Sequence, residues 1–253
     1  MDNAQEKLKI KFGLVGKNIS YSFSRAYFTE KFKRENLPYS YVNFDLEHIE
    51  TLDDIIRSTP NLKGLNVTIP YKEDVIPLLD GLNKRAKKIG AVNTIRITRY
   101  QRLIGYNTDY YGFKKSLEPH LKQMHNRALI LGTGGASKAV AYALKKLKID
   151  YDFVSRVEKE TVKFLYSDLT EEIISSYPII INCTPIGTFP KVNECPDIPY
   201  EAITEQHILY DLIYNPEQTK FLSCGDIKGA TTINGLEMLK LQADKAWEIW
   251  NKS

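Results

Sequence analysis

The 253-residue chain has room for one large domain or two of ordinary size. With 43% hydrophobic and 26% charged residues it has the balance of a soluble globular protein, and no apolar run approaches the ~20 residues a membrane helix needs. Its net charge of +4 is spread among acids rather than gathered with aromatics on one face, which sets aside nucleic acid and membrane as expected partners and leaves a small molecule.

Taken in order, strand-like and helix-like segments alternate, the mark of an α/β protein with parallel sheets. Ile10–Gly16 reads as a strand. Ser24–Glu35 follows as a helix with Tyr27, Phe28 and Phe32 on its packing face. Tyr39–Asp45 alternates like a strand, 46–58 looks helical, and 64–69 is a strand closed by Pro70. The stretch 80–89 reads as a basic amphipathic helix, while 92–97 and 103–106 flank a polar turn and resemble a hairpin. A helix from Asp109 leads into a second series, and 158–176 is short for a full strand–helix repeat, so one helix is expected to be missing there. The last segment, 235–251, is an amphipathic helix carrying Leu236, Leu239, Trp247 and Trp250. Met1–Lys11 lacks the apolar core of a secretory signal, and Cys183, Cys195 and Cys224 stand at unrelated spacings. The expectation is a cytoplasmic protein without disulfide framework or structural metal, as a monomer or homodimer.

The most informative stretch is Ala128–Ala139, where an apolar run ends in Gly132-Thr133-Gly134-Gly135-Ala136-Ser137 and a helix-compatible segment follows. Gly132 permits a tight turn, and Gly134 lets backbone approach a pyrophosphate facing the N–H groups of the helix start. Ser137 takes the place of the usual third glycine, and such clusters also serve as plain tight turns. The next strand, 150–154, ends in Ser155-Arg156, where NAD-preferring sites place a carboxylate for the ribose 2′-OH. A guanidinium suits a 2′-phosphate instead, which points to NADP. Lys159 and Lys163 either add to that phosphate field or face water on an ordinary helix.

Polar residues gather at strand ends and turns in the first half: Ser22-Phe23-Ser24, Asn66-Val67-Thr68-Ile69-Pro70-Tyr71-Lys72, Ala91-Val92-Asn93-Thr94 and Asn107-Thr108-Asp109. Ser24 and Asp109 also fit helix caps, Asn93 a turn, and Lys72 a solvated lysine. A reductase acting on a polar carbonyl needs a proton donor near the oxygen, groups that fix hydroxyls, and donors for a carboxylate. Lys72 with Asp109, the amides with Thr68, and the paired serines meet those needs.

These stretches, with Gly-x-Gly-Gly-Ala-Ser and a late Asn-Gly-Leu-x-Met-Leu-x-x-Gln, resemble the shikimate dehydrogenase family in kind and in order nearly end to end. The resemblance implies two domains. Residues 1–108 plus 233–253 would form an α/β substrate domain to which the C-terminal helix returns, and 109–232 a Rossmann-type NADP domain. It further implies reduction of 3-dehydroshikimate to shikimate by NADPH, with Lys72 and Asp109 as the catalytic pair and Asp109 steadying Lys72. By the same carry-over Ser22, Ser24 and Tyr214 hold the substrate carboxylate, and Thr68, Asn93 and Gln242 bond the ring hydroxyls. Gly132, Gly134, Gly135, Ala136, Ser155, Arg156, Thr184 and Gly235 fall on the cofactor side. The chain departs from the family pattern at Tyr21, at Tyr106 and Tyr110 beside the Asn-Thr-Asp, and at Val157 after the arginine. The alternatives are a relative of broader quinate or NAD use, and a silent module that binds NADP and shikimate; a methyltransferase would want an acid where Arg156 stands.

Overall fold

The computed structural model describes residues 9–20 and 22–252; Tyr21 and the polar stretch ahead of Lys9 lie outside them. The chain packs as two units, one running through Thr108 and resumed from Gln242, the other Asp109–Leu241.

The first unit is built on a six-stranded sheet in the order β2-β1-β3-β5-β6-β4. β1 (Ile10–Gly16) runs parallel to β2 (Tyr39–Asp45) and β3 (Leu62–Val67). β5 (Thr94–Ile97) is antiparallel to β3 and to β6 (Leu103–Tyr106), as the hairpin pattern predicts. The sheet is therefore mixed rather than parallel. Because side chains alternate along a strand, β1 sends Phe12 and Leu14 into one core and Val15 into another. The first core takes Phe28 and Phe32 from α1 (Phe23–Arg34) and Trp250 from the last helix. Phe28 stacks on Tyr41 and Phe12 on Trp250, each with ring centroids 4.8 Å apart. Gly64 is needed here, since a Cβ would run into the Trp250 indole.

Two expected helices are shorter than their sequence patterns. The one read over 46–58 begins as a 3-10 turn at Ile49–Thr51 and becomes α2 only at Leu52–Ser58. Leu46 is still held on the sheet, its N–H donating to the Gly16 carbonyl at 2.9 Å. In the 80–89 stretch, Gly81–Leu82 is instead a short strand, β4, beside β6. Helix α3 (Lys84–Ile89) starts where Asn83 Oδ1 accepts the Arg85 N–H and stops at Gly90, whose φ is 73°.

The second unit has six parallel strands in the order β12-β11-β10-β7-β8-β9. They are β7 (Arg127–Leu131), β8 (Asp150–Ser155), β9 (Phe164–Leu165), β10 (Ile179–Asn182), β11 (Ile208–Asp211) and β12 (Thr231–Ile233). From β7 the chain moves outward to β9, then returns to place β10 on the other side of β7. That reversal makes the carboxyl ends of β7 and β10 a switch point, the usual ligand position in a doubly wound sheet. α4 (Asp109–Leu117) enters the unit, and α5 (Gly135–Leu147) joins β7 to β8. Residues 156–163 contain no helix, and α6 (Glu171–Ser175) is short. The missing crossover helix expected from the sequence is thus the one after β8. α7 (Lys220–Ile227) links β11 to β12.

The last helix, α8 (Leu236–Trp250), begins in the second unit and ends in the first. The changeover at Gln242 lies later than residue 233, because β12 pairs with β11 and Met238 packs in the second unit's core. Ala243, Ala246 and Trp250 pack in the first.

Candidate active site

In the first unit, the polar residues at the strand ends form one buried hydrogen-bonded chain. Asn93, 3% exposed, sits just before β5 and is fixed by its backbone: its N–H donates to Tyr106 and its carbonyl accepts from Val67. Its side-chain amide donates to Thr108 Oγ1 (2.9 Å) and Gln242 Oε1 (3.3 Å). Asn93 Oδ1 accepts the Thr108 N–H at 2.7 Å and the Thr94 hydroxyl at 3.1 Å. Asn66 Nδ2 donates to the Asn93 carbonyl, while Asn66 Oδ1 accepts from the Tyr41 hydroxyl at 2.7 Å. Tyr41 in turn bonds Ser24, and burial holds its hydroxyl well above its ordinary pKa. Ser24, Asn93 and Gln242 are thereby brought together through Tyr41, Asn66, Thr94 and Thr108. A network this buried is tolerable only when nearly every member is satisfied.

Ser22, rather than Ser24, caps α1, accepting the Arg25 N–H at 3.2 Å. A hydroxyl that accepts in this way keeps its own proton to donate. Thr68 is half-buried at the carboxyl end of β3, its N–H bonded to Val15. Lys72 is half-buried, and its carbonyl accepts from Val92 at 2.7 Å, which pins its backbone to the segment that leads into Asn93. Asp109 directly follows Thr108 and opens α4; it is 5% exposed and assigned by packing to the second unit.

The second unit carries the glycine turn at this switch point. Gly132 has φ 105° and a Cβ there would press on Thr184 Cγ2 at 3.1 Å, so both conformation and space call for glycine. Gly134 is the N-cap of α5; it offers no side chain to the helix's first N–H groups, and nothing lies within 4 Å of where a Cβ would stand. That open cradle fits a phosphate. Gly135 and Ala136 form the first turn. Ser137, where a third glycine was expected, is fully buried and turns its hydroxyl onto the Gly134 carbonyl at 2.6 Å.

At the end of β8, Ser155 accepts the Val157 N–H, and Arg156 is exposed. Lys159 reaches back to Thr133 Oγ1 at 2.8 Å, so it stands over the turn, whereas Lys163 pairs with Asp152. Of the two lysines left open by the sequence, Lys159 is the one that bonds the turn. Thr184 donates both N–H and hydroxyl to Asn182 Oδ1, at 3.0 and 2.6 Å. Gly235 donates to the Ile213 carbonyl, and a Cβ there would run into the Leu212 carbonyl. Tyr214 is half-buried in this unit, and burial raises its hydroxyl pKa, which keeps it a neutral donor. Asn66 and Thr108 stand in the polar stretches read from the sequence, but Thr108 was given no role there; Asn182 and Asp211 were not singled out at all, although Asp211, an acid ending the apolar run 208–210, carried a signal.

Among the described residues no helix is long and apolar enough to cross a membrane. The family model for the shikimate dehydrogenase substrate binding domain matches residues 14–95. The shikimate dehydrogenase (NADP(+)) of Clostridium botulinum strain Hall is 42% identical over 248 residues, covering 94% of this chain and 95% of that protein. The solved shikimate dehydrogenase of Aquifex aeolicus gives a TM-score of 0.87 at 33% identity, covering 99% of this chain and 94% of that one. That of Thermus thermophilus, in complex with NADP(H) and shikimate, gives 0.84 at 28% identity, covering 96% and 93%. Likeness of this degree, over nearly the full length of both partners, means that the chain belongs to the shikimate dehydrogenase family.

Proposed function

We propose that the protein catalyses the reversible NADP-dependent interconversion of 3-dehydroshikimate and shikimate, in the cytoplasm, as a step toward aromatic amino acids. One observation carries the reading beyond family membership. The Asn93–Thr108–Gln242 network brings two amides and a hydroxyl to the strand ends from which Lys72 and Asp109 emerge in sequence. Such a cluster of fixed donors and acceptors suits a small polyhydroxylated ring.

When bound, NADPH supplies the hydride. The chain's own residues do the rest. Negative charge grows on the substrate's carbonyl oxygen, and the Lys72 ammonium stabilises it and delivers a proton there. Asp109 accepts a bond from a substrate hydroxyl. Thr68, Asn93 and Gln242 bond the remaining hydroxyls, and Ser22, Ser24 and Tyr214 donate to the carboxylate. On the cofactor side, the N–H groups of Gly134, Gly135 and Ala136 take the pyrophosphate. Arg156, with Lys159 behind it, takes the 2′-phosphate. Ser155, Thr184 and Gly235 line the rest of that site.

Following NADP reduction by absorbance with shikimate tests this directly, repeated with NAD and with quinate. Turnover confined to shikimate with NADP is the expected result. Comparable rates with quinate or NAD would move the protein to broader-specificity relatives. Binding of NADPH and shikimate without turnover would leave only a binding module.

A further inference from the structure

At the carboxyl end of β11, Asp211 is fully buried, and its bonds come from neutral groups. Asp211 Oδ1 accepts from Asn182 Nδ2 at 3.0 Å and from the Ile213 N–H at 3.1 Å; Oδ2 accepts from the Thr219 hydroxyl at 2.7 Å. Each of the first two bonds leads to a residue on the cofactor side. Asn182, held by Asp211, presents its Oδ1 to the N–H and hydroxyl of Thr184, and its own amide also reaches the Ile186 carbonyl at 3.3 Å. The Ile186 N–H closes the loop by donating to Thr184 Oγ1. In the other direction, Ile213 accepts the Gly235 N–H at 2.9 Å. Thr184 itself lies against Gly132 of the phosphate-binding turn.

A side-chain amide can turn over at little cost, exchanging its donor and acceptor ends. Asn182 cannot do so while one end faces a carboxylate that only accepts. The carboxylate, together with the Ile186 carbonyl on the same amide and the Thr184 N–H on the oxygen, fixes that oxygen toward Thr184. Keeping the carboxylate in this place is expensive: burial raises its pKa to about 6 despite the bonds it receives. A group retained at such a cost, between two segments assigned to one ligand, invites a positional role.

We propose that Asp211 is a positioning residue for the cofactor, orienting Asn182 so that Thr184 is held for the nucleotide and anchoring the backbone that carries Gly235. This rests on the NADP reading above. The competing reading is structural: through Thr219, the N-cap of α7, Asp211 would merely steady a helix.

A double-variant cycle read by NADPH fluorescence separates the two. Asp211→Asn keeps the shape but removes the fixed acceptor, and is expected to weaken NADPH binding about 10-fold, the loss of one oriented hydrogen bond. The KM for shikimate and the kcat at saturating cofactor should stay within about 2-fold. Thr184→Val should cost a similar factor, and adding Asp211→Asn to it should cost less than about 2-fold more, because the two act through one path. Multiplying effects, or an Asp211→Asn variant with lower thermal stability and unchanged NADPH affinity, would overturn the proposal. Should Asp211→Asn fail to fold, Asn182→Ser cuts the same path nearer Thr184 and carries the cycle with the same outcomes. If Arg156→Ala weakens NADPH binding while neither Asp211→Asn nor Thr184→Val does, the cofactor reading survives and this proposal falls. A wild-type protein that binds no NADPH sinks both.

Discussion

The two units offer a ligand opposite kinds of surface. In the first, the polar surface is made of side chains that bond one another: Asn93, Asn66, Thr94, Thr108 and Gln242 satisfy much of their own hydrogen-bonding capacity. In the second, the glycine turn presents backbone, with an uncapped 13-residue helix behind it and an exposed guanidinium beside it. A ring of hydroxyls needs donors and acceptors at fixed angles, which only a packed polar network supplies. A phosphate needs charge and N–H groups, which a helix start gives to any anion of suitable size. On the function proposed above, the first arrangement would discriminate among substrates, while the second would grip a common handle and leave discrimination to residues at its edge.

The largest expected break in this division comes from Lys72. Lys72→Ala should lower kcat by about 1,000-fold while the KM for shikimate changes only a few-fold, because the lysine acts on charge that develops in the transition state. Initial rates against shikimate measure both, and near-normal turnover would remove the lysine from the chemistry. Next in size is Arg156→Ala. It should raise the KM for NADP by about 10- to 100-fold, the worth of a charge-assisted pair, yet leave the slower reaction with NAD unchanged. A rise in the KM for shikimate instead would mean that the two units do not divide the labour as described.

Gly235→Ala sharpens the comparison on stability. With its Cβ driven into the Leu212 carbonyl, it should cost about 1–3 kcal/mol, read as a lower melting temperature with NADPH affinity falling alongside. Any loss of shikimate affinity should be minor. The smallest effect is one of pH. His207 is buried in the second unit; its Nδ1 faces the Thr204 N–H and hydroxyl at 3.1 Å, and burial lowers its pKa below the ordinary 6.5. The unfolded chain therefore takes up this proton more readily. The stability that His207 lends is complete above pH 6.5 and is lost as pH falls through the lower folded value. Denaturant midpoints of wild type and His207→Gln should differ most at neutral pH and converge in acid; a gap that widens in acid would refute it.

Much of this was legible in the sequence wherever a local pattern reports a local structure. The apolar runs at 10–16 and 128–131 became β1 and β7, and the glycines between strand and helix became the open turn. What escaped were elements whose existence depends on distant neighbours. β4 and β9 are two residues long and are strands only because β6 and β8 lie alongside. The start of α3 was misread because Lys84–Lys88 dominates the pattern, although Asn83 decides where the helix begins. In the site, the motif residues were visible but their partners were not. Asn182 and Asp211 are 29 residues apart, and no spacing announces their bond. Lys159 could be told from Lys163 only once the chain had folded, since Thr133 claims one and Asp152 the other.

The helix shared by the two units has a consequence for how the protein comes to exist. Synthesis proceeds from the amino end, so every strand of both sheets is made before residues 242–252. The first unit is begun first and completed last. Until the final turns of α8 emerge, nothing fills the space above Gly64, and the Ile95 carbonyl waits for an indole 155 residues downstream. A nascent chain stopped at residue 108 would expose Phe12, Phe28 and Tyr41 without the ring that covers them. The second unit, by contrast, has every strand of its sheet already in the chain before the residues its neighbour lacks are made.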